Sequence, residues 1–401
     1  MVKVETRVLV AGASIAGPAL AHWLGRRGAG VTVVERAPGL RPGGQAVDAR
    51  GVTREVIRRM GLDAAVRAAR TETAGAYTVD ADGKVLVTYR ADDDGGDGYI
   101  SEIEILRGDL SRVLHDDTRD GVEYIFGDRI AGLTQDADGV GVTFAGGARR
   151  RFDLVVGADG LHSALRTTVF GPHERFVRHL GHVMAFYTVP NEFGLDRWLI
   201  DYQESGSGRS AGLRPIQDAT RAMAMFSFPA AGLDIDYRDV AAQKRLLRER
   251  MAGLGWLAPR ILAHLDHTPD FYLDQVAQVV MDRWSSGRVG LLGDAAFSSS
   301  PLSGQGTGLA LVGAYLLAGE LAAAGWDPEA GFAGYERWMR SFVEANQEIG
   351  RLHARSLDVA APEAGPGPED WPVDLIDRAI NGVELPDYAE VPDSGARTPM
   401  T

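Results

Sequence analysis

Apolar and polar positions change rhythm repeatedly along this 401-residue chain. Arg7–Ala11 (RVLVA) is a short unbroken apolar run rich in β-branched residues, the pattern of a strand buried on both faces. Gly12–Gly17 (GASIAG) breaks the run as a turn, and Pro18 suits the first turn of a helix, where its missing N–H costs nothing. Ala19, Leu20, Trp23 and Leu24 then recur at helical spacing, with Gly28 past the expected end, and VTVVE at 31–35 is a second buried strand. The first 36 residues therefore predict a βαβ unit.

Residues 73–100 alternate in short segments around Asp82-Gly83 and predict a hairpin ending in the acidic loop ADDDGGDG. A short strand and a helix follow over 102–115, and strands are expected at 123–126, 139–144 and 153–156, the last running into Gly157-Ala158-Asp159-Gly160. Residues 179–231 are β-rich and aromatic (AFYTV, RWLIDYQ, MAMFSF), with a helix near 240–252. GRVGLLG at 287–293 reads as another buried strand, 308–324 as an apolar helix and 329–359 as a long helix. From residue 361 the chain is rich in Pro, Asp and Glu and predicts a loosely packed tail with one short helix around 374–380.

The length exceeds that of one compact core, and 45% hydrophobic with 24% charged residues is ordinary globular composition. Cys is absent, which excludes disulfides, Cys-ligated metals and a thiol nucleophile. A net charge of −13 argues against nucleic acid or an anionic membrane as the main partner. No run of about 18 apolar residues stands out as a membrane span, and the first strand starts too early to leave room for a signal peptide, so a cytoplasmic protein is expected. No His cluster has metal-ligand spacing, so no metal site is expected, and Ser298–Ser300 lacks the flanks of a nucleophile elbow.

The opening turn carries the first chemistry. A dinucleotide fingerprint needs glycine for a tight turn, for close approach of backbone to pyrophosphate, and for helix–strand packing. Here it reads Gly12-Ala13-Ser14-Ile15-Ala16-Gly17, with serine at the middle glycine. The helix N-terminus behind it offers N–H donors and a positive dipole end to phosphate. Glu35, 23 positions after Gly12, closes the second strand where a carboxylate accepts from a ribose. Asp159 and Asp294 each follow a strand, and Gly293-Asp294 leads into Pro301-Leu302-Ser303-Gly304-Gln305-Gly306. The carboxyl ends of strands are where open α/β sheets bind ligands. Each motif alone is also compatible with a packing turn.

Together these residues resemble the FAD-dependent aromatic hydroxylases, the single-component flavoprotein monooxygenases of the para-hydroxybenzoate hydroxylase type, over most of residues 5–325. Length, Glu35-Arg36 and GGQAVD at 43–48 are most similar to the small members, including tetracycline-inactivating monooxygenases. The resemblance implies an α/β fold: a Rossmann-like FAD-binding domain (1–73, 101–175, 276–325), an inserted β-rich substrate domain (74–100, 176–275), a C-terminal helix (326–360) and an acidic, Pro-rich tail (361–401). It implies that Gly12, Ser14, Ile15, Ala16 and Gly17 hold the FAD pyrophosphate, that Glu35 holds the adenosine ribose and that Arg36 lies along the adenine. Arg107 contacts the FAD, Asp159 serves FAD and NAD(P)H, and Gly293-Asp294 bonds the ribityl chain. Pro301, Gly304, Gly306 and Thr307 lie beside the isoalloxazine, where amides at a helix start favour the negative charge of reduced flavin. Three family features differ: Phe297 stands where His is common, and the Asn common near Gly308 and the Asp common near Gly313 are missing.

The implied reaction uses NAD(P)H and O2 through a C4a-hydroperoxide to oxygenate an electron-rich aromatic or enol-type molecule such as a polyketide-like metabolite or antibiotic. Tyr187, Trp198, Arg214, Phe226 and Gln275 are the candidate substrate contacts in the aromatic domain. The alternatives are a halogenase or prenyl-chain reductase on the same flavin fold, or a protein that sequesters flavin or ligand without turnover. A flavin halogenase should carry WxWxIP, which DRWLID at 196–201 does not match.

Overall fold

Two sheets share the work of the fold. A computed structural model describes residues 6–91, 100–268, 270–358 and 372–388; the acidic loop expected at 91–98 lies almost wholly outside them. The first sheet has six strands, ordered Ser285–Ser286, Val289–Leu291, Leu154–Gly157, Arg7–Ala11, Gly30–Glu35 and Glu123–Phe126. All pairs are parallel except the edge pair Ser285–Ser286 with Val289–Leu291. Val8, Leu9, Val10, Val33, Leu154, Val155 and Val156 are at most marginally accessible, as the unbroken apolar runs require of strands covered on both faces.

Gly306–Ala323 is the apolar helix, two residues earlier than its sequence pattern suggests, and packs on the helices Ala16–Arg26, Val52–Met60 and Pro328–Asp358. By length and composition it is the one helix among the described residues able to cross a membrane, correcting the expectation that no such run exists. It is apolar all round because 78% of it is buried inside the protein.

The second sheet has seven strands, ordered Tyr272–Val279, Val177–Pro190, Arg221–Pro229, Ser210–Pro215, Trp198–Gln203, Gly75–Val79 and Val85–Arg90. It is antiparallel apart from the pair of Trp198–Gln203 with Gly75–Val79, which joins the Asp82-Gly83 hairpin to its edge. One face is covered by the helices Val240–Arg250 and Ala258–Ala263 through Leu247 and Ile261. Near the C-terminus, Val373–Asn381 is a helix whose Leu375 and Ala379 pack on Ala345 and Ile349 of the long helix, so this part of the tail is docked.

Candidate functional site

The register of the parallel sheet decides where the motifs meet. Ala11 pairs with Gly157, and Gly157 pairs with Leu291. The turns beginning at Gly12, Ala158 and Leu292 thus leave one sheet edge side by side, at its carboxyl end.

Gly12 has φ +112°, and a Cβ there would sit 2.3 Å from the Ala158 carbonyl oxygen. A Cβ at Gly17 would lie 1.9 Å from the Gly12 carbonyl oxygen. Both glycines are therefore fixed by backbone contact. Ile15, Ala16 and Gly17 are buried at the helix start, and Ser14 is half-buried. Ser14 Oγ accepts from Arg107 Nη1 at 2.9 Å, and the Ser14 carbonyl accepts from Ser111 at 2.7 Å. A side chain at the middle fingerprint position is thus used to anchor the arginine. Arg107 is held from behind, since its N–H donates to Gln45 O at 3.0 Å. The Glu35 carboxylate accepts from the N–H of Ala13 (3.0 Å) and of Ala37 (2.9 Å), tying the second strand end to the turn. Arg36 is exposed beside it.

Asp159 caps the helix Ala164–Phe170: it accepts from Ser163 Oγ at 2.5 Å and from the N–H of Ala164 at 2.8 Å. Burial pushes its carboxyl above the ordinary range against those bonds. Gly293 (φ +64°) turns the chain into Asp294, and burial likewise lifts the Asp294 carboxyl, with Asp274 adding to the rise and Arg107 and Arg166 opposing it. Asp294 nevertheless keeps substantial accessible surface, and so does Tyr272, 41% exposed, whose phenol burial raises well above its usual range. Both side chains are thus reachable by solvent although protein crowds closely around them. Pro301 and Gly304 are exposed, Gly306 is half-buried and Thr307 is buried at the start of the apolar helix.

The loop before Pro301 is braced from the long C-terminal helix. Gln347 donates to Ser298 O at 3.3 Å, His353 Nδ1 lies 2.9 Å from Leu302 O, and a Cβ on Gly350 would stand 2.4 Å from Ser299 O. Ser300 is held at φ +77°, a conformation that non-glycine residues adopt at a cost. Phe297 is wholly buried with its ring 4.7 Å from Trp284, so where the family often has His this chain fills the core.

The substrate candidates need correction. Strand alternation splits the seven-stranded sheet into Val183, Ala185, Tyr187, Ala224 and Phe226 on the helix-covered face and Met184, Phe186, Met223 and Met225 on the other. Tyr187 and Phe226 are each 1% exposed within the helix-side core, and the Tyr187 hydroxyl donates to Ile261 O at 3.2 Å. Gln275 shares that side and donates to Leu233 O at 3.1 Å. Trp198 stacks on Tyr77 at 4.4 Å, near the sheet edge. Arg214 alone of the five has the opposite parity from the core residues Ala211 and Leu213, and it is ion-paired with Glu104.

That pair belongs to a cluster the motifs do not announce. Asp48 and Glu104 are register partners on the antiparallel strands Ala46–Asp48 and Glu104–Leu106 and so project to one side. Glu104, 3% exposed, also accepts from Thr71 and Thr73 at 2.7 Å each, and Asp48 accepts from Arg50 at 2.9 Å. A second network joins Tyr272 and His162 to Asp274 Oδ2 at 3.0 and 2.9 Å. Arg166, fully buried, donates to Ala295 O (2.9 Å) and Leu161 O (2.6 Å), stitching the second loop tip to the third and placing a cation beneath them. Arg166 lies seven positions after Asp159, a spacing that could have flagged it; Glu104 and Asp274 are visible only in three dimensions.

The donor set suits a dinucleotide: a glycine cradle at a helix N-terminus, a strand-end carboxylate, and an arginine and an exposed aspartate near each other. A family model for the FAD binding domain matches residues 5–348. An uncharacterised protein of Mycobacterium tuberculosis (strain CDC 1551 / Oshkosh) is 46% identical over 95% of this chain and 99% of its own length. A flavin-dependent monooxygenase of Legionella longbeachae is 37% identical over 95% and 98%. The crystal structure of tetracycline destructase Tet(55) superposes with a TM-score of 0.85 at 37% identity, covering 97% of this chain and all of that one. The chain belongs to the FAD-binding domain family, among its flavin-dependent monooxygenases, and its cofactor is FAD.

Proposed function

We propose that this chain oxygenates an electron-rich polycyclic phenol or enol, with a nicotinamide dinucleotide as the transient reductant. When bound, FAD supplies the redox step and the activation of O2. The protein's own residues bind, orient and exclude water. Gly12–Gly17 and the N-terminus of Ala16–Arg26 hold the pyrophosphate, Glu35 the ribose with Arg36 along the adenine, and Arg107 and Gly293-Asp294 the span toward the flavin. Asp159 fixes the second loop tip, and the amides near Gly304, Gly306 and Thr307 favour negative charge on the ring system beside Pro301.

The observation that carries the substrate reading is the sheet face opposite the covering helices. Half-buried Met225 lies there beside the buried Phe186 and Met223, an apolar, polarizable wall for a space that would take a flat ligand. Arg214, held by Glu104, supplies a cation whose direction is set before substrate arrives. Similarity to a tetracycline destructase favours a polycyclic enol in that space. The test is oxygen uptake with NADH or NADPH, with and without tetracycline. Ligand-stimulated uptake with a product heavier by one oxygen atom supports the proposal. Tight ligand binding without turnover would replace it with sequestration.

A further inference from the structure

A second cavity, of about 430 Å3, opens at the opposite end of the fingerprint helix. Ala16–Arg26 has 11 residues, so its two ends are roughly 16 Å apart. The fingerprint turn is at one end, and Arg26 and Arg27 meet the cavity at the other. The helix Val52–Met60 contributes Arg58 and Arg59, so four guanidinium groups line it. Among the described residues that line it the carboxylates are Glu55 and Asp387, so the described lining sums to 4 − 2 = +2 in a chain of net charge −13.

Both carboxylates are already engaged. Glu55 pairs with Arg58 at 2.6 Å and Arg59 at 2.8 Å, and Asp387 pairs with Arg59 at 3.1 Å. Arg26 is exposed and forms no ion pair among the described residues. The arginines are also stiffened by aromatic rings. The Arg27 guanidinium lies 5.5 Å from the Trp23 ring and 5.4 Å from that of Tyr388, while Arg59 lies 5.4 Å from that of Tyr315. Planar cations held in place and a net lining charge of +2 match a group with two negative charges and several acceptor oxygens.

We propose that this cavity binds a phosphate-bearing small molecule, its phosphate held by Arg26, Arg58 and Arg59. The site is separate from the flavin site and does not depend on the oxygenation reading. The FAD-loaded protein is titrated calorimetrically with phenyl phosphate and, in a second arm, inorganic phosphate, at fixed ionic strength. Saturation at one equivalent per chain by either supports the site, and the tighter of the two tells an ester from the free ion. Arg26→Gln/Arg58→Gln should weaken binding on the order of 100-fold with flavin absorbance and melting temperature unchanged. Should the double variant melt early, Arg26→Gln alone carries the test, with a weakening of about 10-fold. No saturable heat in either arm, equal binding by sulfate, or undiminished binding in the variant that keeps its fold would overturn the proposal.

Discussion

The three loop tips and the sheet facing them tie chemistry to backbone in different ways. At the tips, residue type follows from main-chain contact: Gly12 and Gly17 stand where a Cβ would strike a carbonyl oxygen 2.3 or 1.9 Å away. On the seven-stranded sheet, neighbouring residues of the same chemical type have opposite fates. Phe226 is sealed in the helix-side core, while Met225 beside it faces the other way. Contacts of the first kind are visible in a motif, whereas those of the second kind depend on strand register and on what covers each face.

The sharpest break comes from Gly17→Val, which puts a branched side chain into the Gly12 carbonyl. The expected cost exceeds about 4 kcal/mol, read as insoluble or colourless protein; a soluble yellow variant would refute the packing account. Next is Arg214→Met, which leaves Glu104 buried with only its threonine donors. Roughly 3 kcal/mol of destabilisation is expected in chemical denaturation, together with a raised KM for any substrate found. Asp294→Ala should loosen FAD by about 10- to 100-fold, as for a lost hydrogen bond to a charged group, measured by equilibrium dialysis with folding retained.

Tyr187→Phe removes one buried hydrogen bond and should cost about 1 kcal/mol without changing KM, whereas Met223→Ala should change KM. Equal effects on KM would erase the distinction between the two faces. The smallest effect concerns pH. Burial raises the Asp294 carboxyl in the folded protein above its unfolded value. Its contribution to stability is therefore complete below the unfolded pKa and is lost as pH rises through the folded one. In FAD-free protein Asp294→Asn should remove this loss, so the variant should gain melting temperature relative to its parent as pH rises from about 4.

Much of the parallel sheet could be read directly from RVLVA, VTVVE and DLVV, because strands covered on both faces must be continuously apolar. The aromatic segments signalled strands but not sides: Tyr187, Phe226 and Gln275 look like pocket residues until the helices Val240–Arg250 and Ala258–Ala263 are laid on their face. The burial of Arg166 and of Glu104 was illegible for a related reason. Each is buried because partners distant in sequence, Ala295 and Arg214, close over it.

The brace on the loop at residues 298–303 bears on how the protein is made. Gln347, Gly350 and His353 belong to a helix translated after every strand of both sheets. A nascent chain carrying the complete glycine cradle still lacks the element that shapes the loop before Pro301. Pigment acquisition is therefore expected late in synthesis, and a chain truncated before residue 347 should hold FAD more weakly than the 401-residue chain.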